Sequence, residues 1–308
     1  MEENDDHLRP GRRVLHVAFC CNDTAPLLHL LVERLGMRNT MTSPTQTEPG
    51  EVLGFDRDVV NSAAFVYDAR GPRVSPAIEV QSWEDPPLVG SPKTDPVEIG
   101  IQAVGVAVED PDALGERLVA DGCEVVGSGP SPLGPWVTVR HHSGLVLDLV
   151  PDDAGATGPS RLRHLRANVT DIDRSVSWYE RLGFERVERS AIDDGAALGV
   201  GGEVHADLVR LRLPDEPFEL VLLQWHSPES HGAHFTEPNH AGLFRAAVCV
   251  DDTRASHAAM QAAGTSFDRG PMAVALPGTP VPDMWISFLS DPDGITFELV
   301  ERPRSIFR

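Results

Sequence analysis

Glu298 is the first residue whose type and setting ask for a chemical explanation. It lies in DPDGITFELVERP, residues 291–303, where Ile295, Phe297 and Leu299 alternate with Thr296, Glu298 and Val300. Such alternation marks a half-buried β-strand. A carboxylate in mid-strand is either a solvent-facing residue or a group held inside for its charge. A second concentration of reactive side chains is HSPESHGAHFTEPNH, residues 226–240, with His226, His231, His234 and His240. Its spacing fits no standard zinc template, so it reads as a loop, with a lid as the functional alternative. His141-His142 reads as a solvated turn. Cys20, Cys21, Cys123 and Cys249 form no CxxC pair and read as small buried hydrophobes in a reducing compartment.

The elements that must position these groups come from a repeat. Four segments align: LHVAFCCNDTAPLLHLLVERLGM from Leu15, QAVGVAVEDPDALGERLVADGCEVV from Gln102, RHLRANVTDIDRSVSWYERLGFERV from Arg163 and FRAAVCVDDTRASHAAMQAAGTSF from Phe244. Each has a short apolar strand, then an acid: Asp23, Asp110, Asp171 or Asp252. About ten residues with helical spacing follow, then a glycine: Gly36, Gly122, Gly183 or Gly264. The acid suits a helix N-cap, because its oxygens accept from free backbone N–H groups. The glycine suits the left-handed turn past the helix end. After each glycine the pattern returns to strands, so the predicted unit is strand, helix, then two or three strands.

Composition bounds the class. The chain has 308 residues, 41% hydrophobic, with a net charge of -21. That charge argues against nucleic acid and against an anionic membrane surface. No apolar run approaches the ~20 residues of a membrane helix, and the polar N-terminus has no secretory pattern. A cytoplasmic protein, monomeric or homodimeric, is the expectation. The Ala-, Gly-, Arg- and Asp-rich composition is associated with high-GC bacteria and specialised metabolism. The stretch PDDAGATGPS, residues 151–160, is the best boundary. It divides the chain into an N-terminal domain, 11–152, and a C-terminal domain, 160–308, with two units each. The polar stretches 83–96 and 225–240 separate units within each half.

Paired βαβββ units with a capped helix closing on LGF and a last strand DPDG..FEL resemble the vicinal oxygen chelate superfamily, also called glyoxalase/bleomycin-resistance/extradiol dioxygenase. Residues 168–184, NVTDIDRSVSWYERLGF, and 291–301, DPDGITFELVE, carry the closest resemblance. It runs from about Arg13 to Pro303. The implied fold is α+β, with four βαβββ modules paired into cupped sheets.

The resemblance also implies metal ligands on the first and last strand of each module, pointing into the cup. The first-strand positions are His16, Ala103, His164 and Arg245; the last-strand positions are Glu79, Asp148, Glu219 (or Val221) and Glu298. Imidazole and carboxylate suit a divalent Fe, Mn, Ni, Co or Zn ion, with open positions for a substrate's two oxygens. His16, His164, Glu79, Glu298, Glu219 and Asp148 are thus the candidate metal ligands. Glu298 and Glu79 are the candidate catalytic acids. Ala103 cannot bind metal and Arg245 is a cation, so no pairing of modules supplies four ligands. Arg245 forms an ion pair with Glu298 or Glu79, or clamps an anionic group of a substrate. Pairing in order and pairing crosswise both remain open. The expected function is a metal-dependent lyase or isomerase acting on a small oxygenated metabolite. The alternatives are an Fe(II)-dependent dioxygenase and a metal-free protein that binds a drug or metabolite.

Overall fold

The computed structural model describes residues 7–152, 158–274 and 284–302. Each unit folds as one helix among four strands. The first has β1 (Arg13–Cys20), α1 (Thr24–His29, running into a π-turn at Leu30–Arg34), β2 (Arg38–Glu48), β3 (Val59–Tyr67) and β4 (Ala77–Asp85). The second has β5 (Gly100–Val108), α2 (Pro111–Ala120), β6 (Glu124–Ser131), β7 (Gly134–Arg140) and β8 (Val146–Pro151). The third has β9 (Arg161–Asn168), α3 (Ile172–Arg181), β10 (Glu185–Ile192), β11 (His205–Arg212) and β12 (Glu219–Ser227). The fourth has β13 (Gly242–Val250), α4 (Thr253–Ala262), β14 (Arg269–Val274), β15 (Met284–Ser290) and β16 (Thr296–Glu301).

Local chemistry explains the helix ends. Asp110, Asp171 and Asp252 each accept the backbone N–H three residues on, at 3.0, 3.0 and 2.9 Å. Asp23 makes no such bond. The residue three positions after it is Pro26, which has no N–H to donate. The closing glycines Gly36, Gly122, Gly183 and Gly264 all have positive φ, from 66° to 103°.

The modules pair crosswise. One eight-stranded sheet runs β14-β15-β16-β13-β1-β4-β3-β2 and the other β10-β11-β12-β9-β5-β8-β7-β6. The first joins modules one and four through antiparallel β1 and β13. The second joins modules two and three through β5 and β9. The sequence halves 11–152 and 160–308 therefore each give one module to each sheet.

Alternation along the central strands sorts the side chains. Val17, Phe19, Ile78, Val80, Leu165, Val248, Phe297 and Leu299 join one core that takes residues from all four modules. Their neighbours His16, Glu79, His164, Arg245 and Glu298 point to the opposite, concave faces by the two-residue period of a strand. Glu298 is thus inward on a cup and 6% exposed.

The polar stretches around 83–96 and 225–240 hold each other rather than cover a cup. Val89 N donates to Asn239 O, Ala241 N to Val89 O, and Ile99 N to His231 O at 2.8 Å. His234 is buried with its Nε2 2.6 Å from Phe244 O, and His240 stacks on Phe235. His141 differs from the solvated turn expected of it. It is 4% exposed, and its Nδ1 accepts the Ser143 N–H, as the Asp291 carboxylate accepts from Asp293 and Ile295 in the matching turn.

Candidate functional site: one open cup and one filled cup

His16, Glu79, Arg245 and Glu298 meet in the cup of modules one and four. The pseudo-twofold relation of β1 and β13 brings them together: Ala18 faces Arg245, and His16 faces Ala247. Glu79 lies beside Ala18 on β4, and Glu298 beside Ala247 on β16. Arg245 Nε donates to Glu298 Oε2 at 3.2 Å, and an Arg245 Nη2 donates to Glu79 Oε2 at 3.1 Å. His16 Nε2 lies 3.3 Å from the same Glu79 oxygen and 3.5 Å from the same Glu298 oxygen.

The electrostatics follow from burial and these contacts. Burial pushes the Glu298 carboxyl up, but His16 and the Arg245 charge outweigh it and hold the group below its ordinary range. Burial works against the Arg245 charge, yet Glu79 and Glu298 bind its proton more tightly than usual. Two of its donors, Nε and Nη2, are therefore engaged by protein carboxylates, while the buried Nη1 has no hydrogen-bond partner among the described residues.

Above this charged floor lies a cavity of about 1050 Å³. Met41, Phe65 and Tyr67 line it from module one, and Met272, Ile286 and Phe288 from module four. Sequence reasoning did not find the second polar spot in its wall. Glu48 accepts from Asn61 Nδ2 at 2.5 Å, and burial raises its pKa against that bond. The inward alternation of β3 was the signal for Asn61; nothing local marked Glu48.

The second cup is filled. Asp148 and His164 are each 0% exposed, and Arg166 is 2% exposed. Arg166 Nε and Nη2 donate to both Asp148 oxygens at 2.7 and 3.0 Å, and His164 Nε2 lies 3.2 Å from Oδ2. Burial would raise the Asp148 pKa, but Arg166 and His164 drive it well below the usual carboxylate range. Burial lowers that of His164, so its imidazole is neutral. Trp136 lies edge-on to His164 and, with Ala197, Leu198 and Trp225, plugs the concave face. Space beside Thr138 and Arg166 amounts to about 10 Å³, room for a single water.

Glu219 does not join Asp148 and His164. Glu79, Asp148 and Glu298 all face the residue two beyond the first-strand position, namely Ala18, Gly105 and Ala247. In module three that position is Arg166, and its partner is Val221, whereas Glu219 pairs with His164. The Glu219 carboxylate is held instead by Arg210 at 2.8 and 2.9 Å and by Arg163 at 3.1 Å. The six carboxylate and imidazole ligand candidates thus divide among an open cup, a closed cup and a separate ion cluster.

The residues present do not fit a metal as they stand. The two carboxylate oxygens nearest His16 already accept from the Arg245 guanidinium. Among the described residues, no three or more His, Cys, Asp or Glu side chains are grouped to hold a metal ion. No described helix is long and apolar enough to cross a membrane.

Paired βαβββ modules in two cupped sheets define a tandem glyoxalase-like α+β fold. Residues 161–299 match the family model described as Glyoxalase/Bleomycin resistance protein/Dioxygenase superfamily. That match covers modules three and four, a little under half of the chain. Glyoxalase I from Zea mays is similar in structure, with TM-score 0.70, 19% identity, and coverage of 96% of this chain and 95% of that one. So is a putative dioxygenase from Bacillus subtilis, with TM-score 0.63, 13% identity, and coverage of 96% and 86%. At these identities the likeness is one of fold. No curated protein matches the chain.

Proposed function

We propose that this protein binds a drug-sized, mostly apolar small molecule in the cup of modules one and four, without a metal. The observation that carries the reading is Arg245. It stands in the fourth ligand position and bridges Glu79 and Glu298 beneath a cavity of about 1050 Å³. That size is at the upper end for ligand pockets, and an apolar wall with a few convergent polar groups is their usual construction. Both modules of the cup belong to one chain, so a monomer suffices and a homodimer is not required. Four buried free thiols support a reducing, cytoplasmic compartment. The bacterial, specialised-metabolism setting remains an association of composition.

The test is a titration with Nile red, a neutral apolar dye, followed by fluorescence and thermal shift. Wild type should bind it with a raised unfolding midpoint. Ala63→Trp, which places an indole in the cavity, should lose binding while folding normally. Equal binding by that variant, or none by wild type, would sink the reading.

A second reading is enzymatic and is favoured by the His16 contacts. An imidazole within 3.3 and 3.5 Å of two carboxylates is placed to exchange a proton with a bound molecule, as a lyase or isomerase requires. Glu298 and Glu79 are its acids and His16 its relay. Metal-dependent lyase, isomerase or dioxygenase chemistry is the reading this floor supports least. Turnover of a bound ligand that Glu298→Gln abolishes while binding persists would establish the enzymatic reading.

A further inference from the structure

We infer that the open cup selects an apolar molecule carrying one basic nitrogen, and that Glu48, positioned by Asn61, pairs with that nitrogen. The inference rests on the reading of the cup as a metal-free binding site and names its ligand class. Glu48 is half-buried at the end of β2 and lines the cavity. Its Oε1 accepts from Asn61 Nδ2, and among the described residues no Lys, Arg or His pairs with it. Glu79 and Glu298, the carboxylates of the floor, both have Arg245. A carboxylate taken out of water without a counter-charge is costly, and a cation beside it removes that cost. Asn61 is itself 5% exposed and lines the same cavity. Its Nδ2 is engaged by Glu48, while its Oδ1 has no partner among the described residues. A protonated amine is a donor only, and the free Glu48 oxygen and Asn61 Oδ1 are two acceptors set side by side in an otherwise apolar wall.

The charges around the cavity are sorted along β1. Cys20, the last residue of β1, faces Gln81, which faces Ala63, two residues beyond Asn61. Glu48 and Asn61 therefore lie toward the end of β1, and exposed Glu51 lines the cavity three residues further on. The cavity-lining arginines Arg73 and Arg302 lie at the start of β1. There Arg13 Nη1 donates to Arg73 O, and Arg302 N donates to Val250 O. The eight residues of β1 separate these ends by about 23 Å. Burial raises the Glu48 pKa, Asn61 lowers it, and Glu79 and Arg245 act in opposite directions. The protein thus leaves this carboxylate short of positive charge, and a ligand cation supplies it.

The experiment compares two dyes on the full-length protein at neutral pH. Nile blue has the ring skeleton of Nile red, with a cationic nitrogen in place of the carbonyl oxygen. Titrations in about 0.15 M salt screen the attraction of the acidic surface for any cation. Wild type should bind Nile blue about tenfold more tightly than Nile red, the margin of one hydrogen bond between charged groups. Glu48→Gln keeps the side-chain shape and the Asn61 contact and should erase that preference. Ala63→Trp should lose both dyes, because both occupy the cavity. The wild-type ratio needs no variant, so the test stands even if Glu48→Gln does not fold. Nile red binding without a preference for Nile blue, or a preference that survives in Glu48→Gln, would overturn this inference and leave the binding reading intact. Nile blue binding that persists in Ala63→Trp would place the cation on the outer surface and overturn it as well. Binding of neither dye by wild type would overturn both readings.

Discussion

At the scale of single residues, burial decides which charges are tolerated and how. Arg245, Glu79 and Glu298 are each about 4–6% exposed, and the guanidinium pairs with both carboxylates. Removing one member of such a buried set costs about 3–5 kcal/mol, because the others lose their compensation. Glu216 is the contrasting case. It sits in the β11–β12 turn against Arg13, 3.8 Å away, at the junction of the two sheets. Burial raises its carboxyl from 4.5 to about 7, with Arg13 and Arg70 pulling the other way. The folded chain therefore binds this proton more tightly than the unfolded chain does. This contribution to stability grows as pH falls from about 7 toward 4.5 and is lost as pH rises through about 7. Glu216→Gln should be more stable than wild type at pH 8, by on the order of 2 kcal/mol, and the two should converge in mild acid. Urea unfolding at both pH values measures it. A variant less stable at pH 8 would mean that the arginine attraction outweighs burial.

At the scale of elements, the four helices obey one rule with one exception. Asp110, Asp171 and Asp252 cap their helices, and Asp23 does not, because Pro26 stands where the donor should be. Asp171→Ala should lower stability by about 1 kcal/mol, whereas Asp23→Ala should change it by a few tenths at most. Paired denaturation midpoints check this, and equal losses would remove the explanation. The same scale shows why Glu219 misled. A strand shows one face every two residues, so Glu219 and Val221 both point inward and only the pairing partner tells them apart. A one-sequence reading has the face but not the register.

At the scale of the molecule, each cup is built from both halves of the chain. Fragments 11–152 and 160–308 each carry two modules whose sheet partners lie in the other fragment. Expressed together as separate chains, they should copurify one to one and recover Nile red binding. Expressed alone, each has two central strands, β1 and β5 or β9 and β13, without their antiparallel partners, and such unpaired edges associate or aggregate. Independent folding of each fragment as a ligand-binding monomer would contradict the crosswise architecture. The asymmetry between the cups also belongs to this scale. Trp136 and the Ala197–Leu198 turn fill one concave face, while the other keeps its cavity.

The sequence by itself determined the four-module repeat, its helix caps and closing glycines, and the inward position of Glu298. These are consequences of local conformational preference and strand alternation, which act over a few residues. Only the tertiary structure decided that modules one and four share a cup, that Arg166 closes the other around Asp148, and that Glu298 faces Arg245 and His16 together. Residues 16, 79, 245 and 298 are brought within hydrogen-bonding distance by β1–β13 pairing across more than 200 residues of chain. Pairing in order would satisfy the same local rules. The choice between them rests on packing between distant strands, which no local pattern encodes.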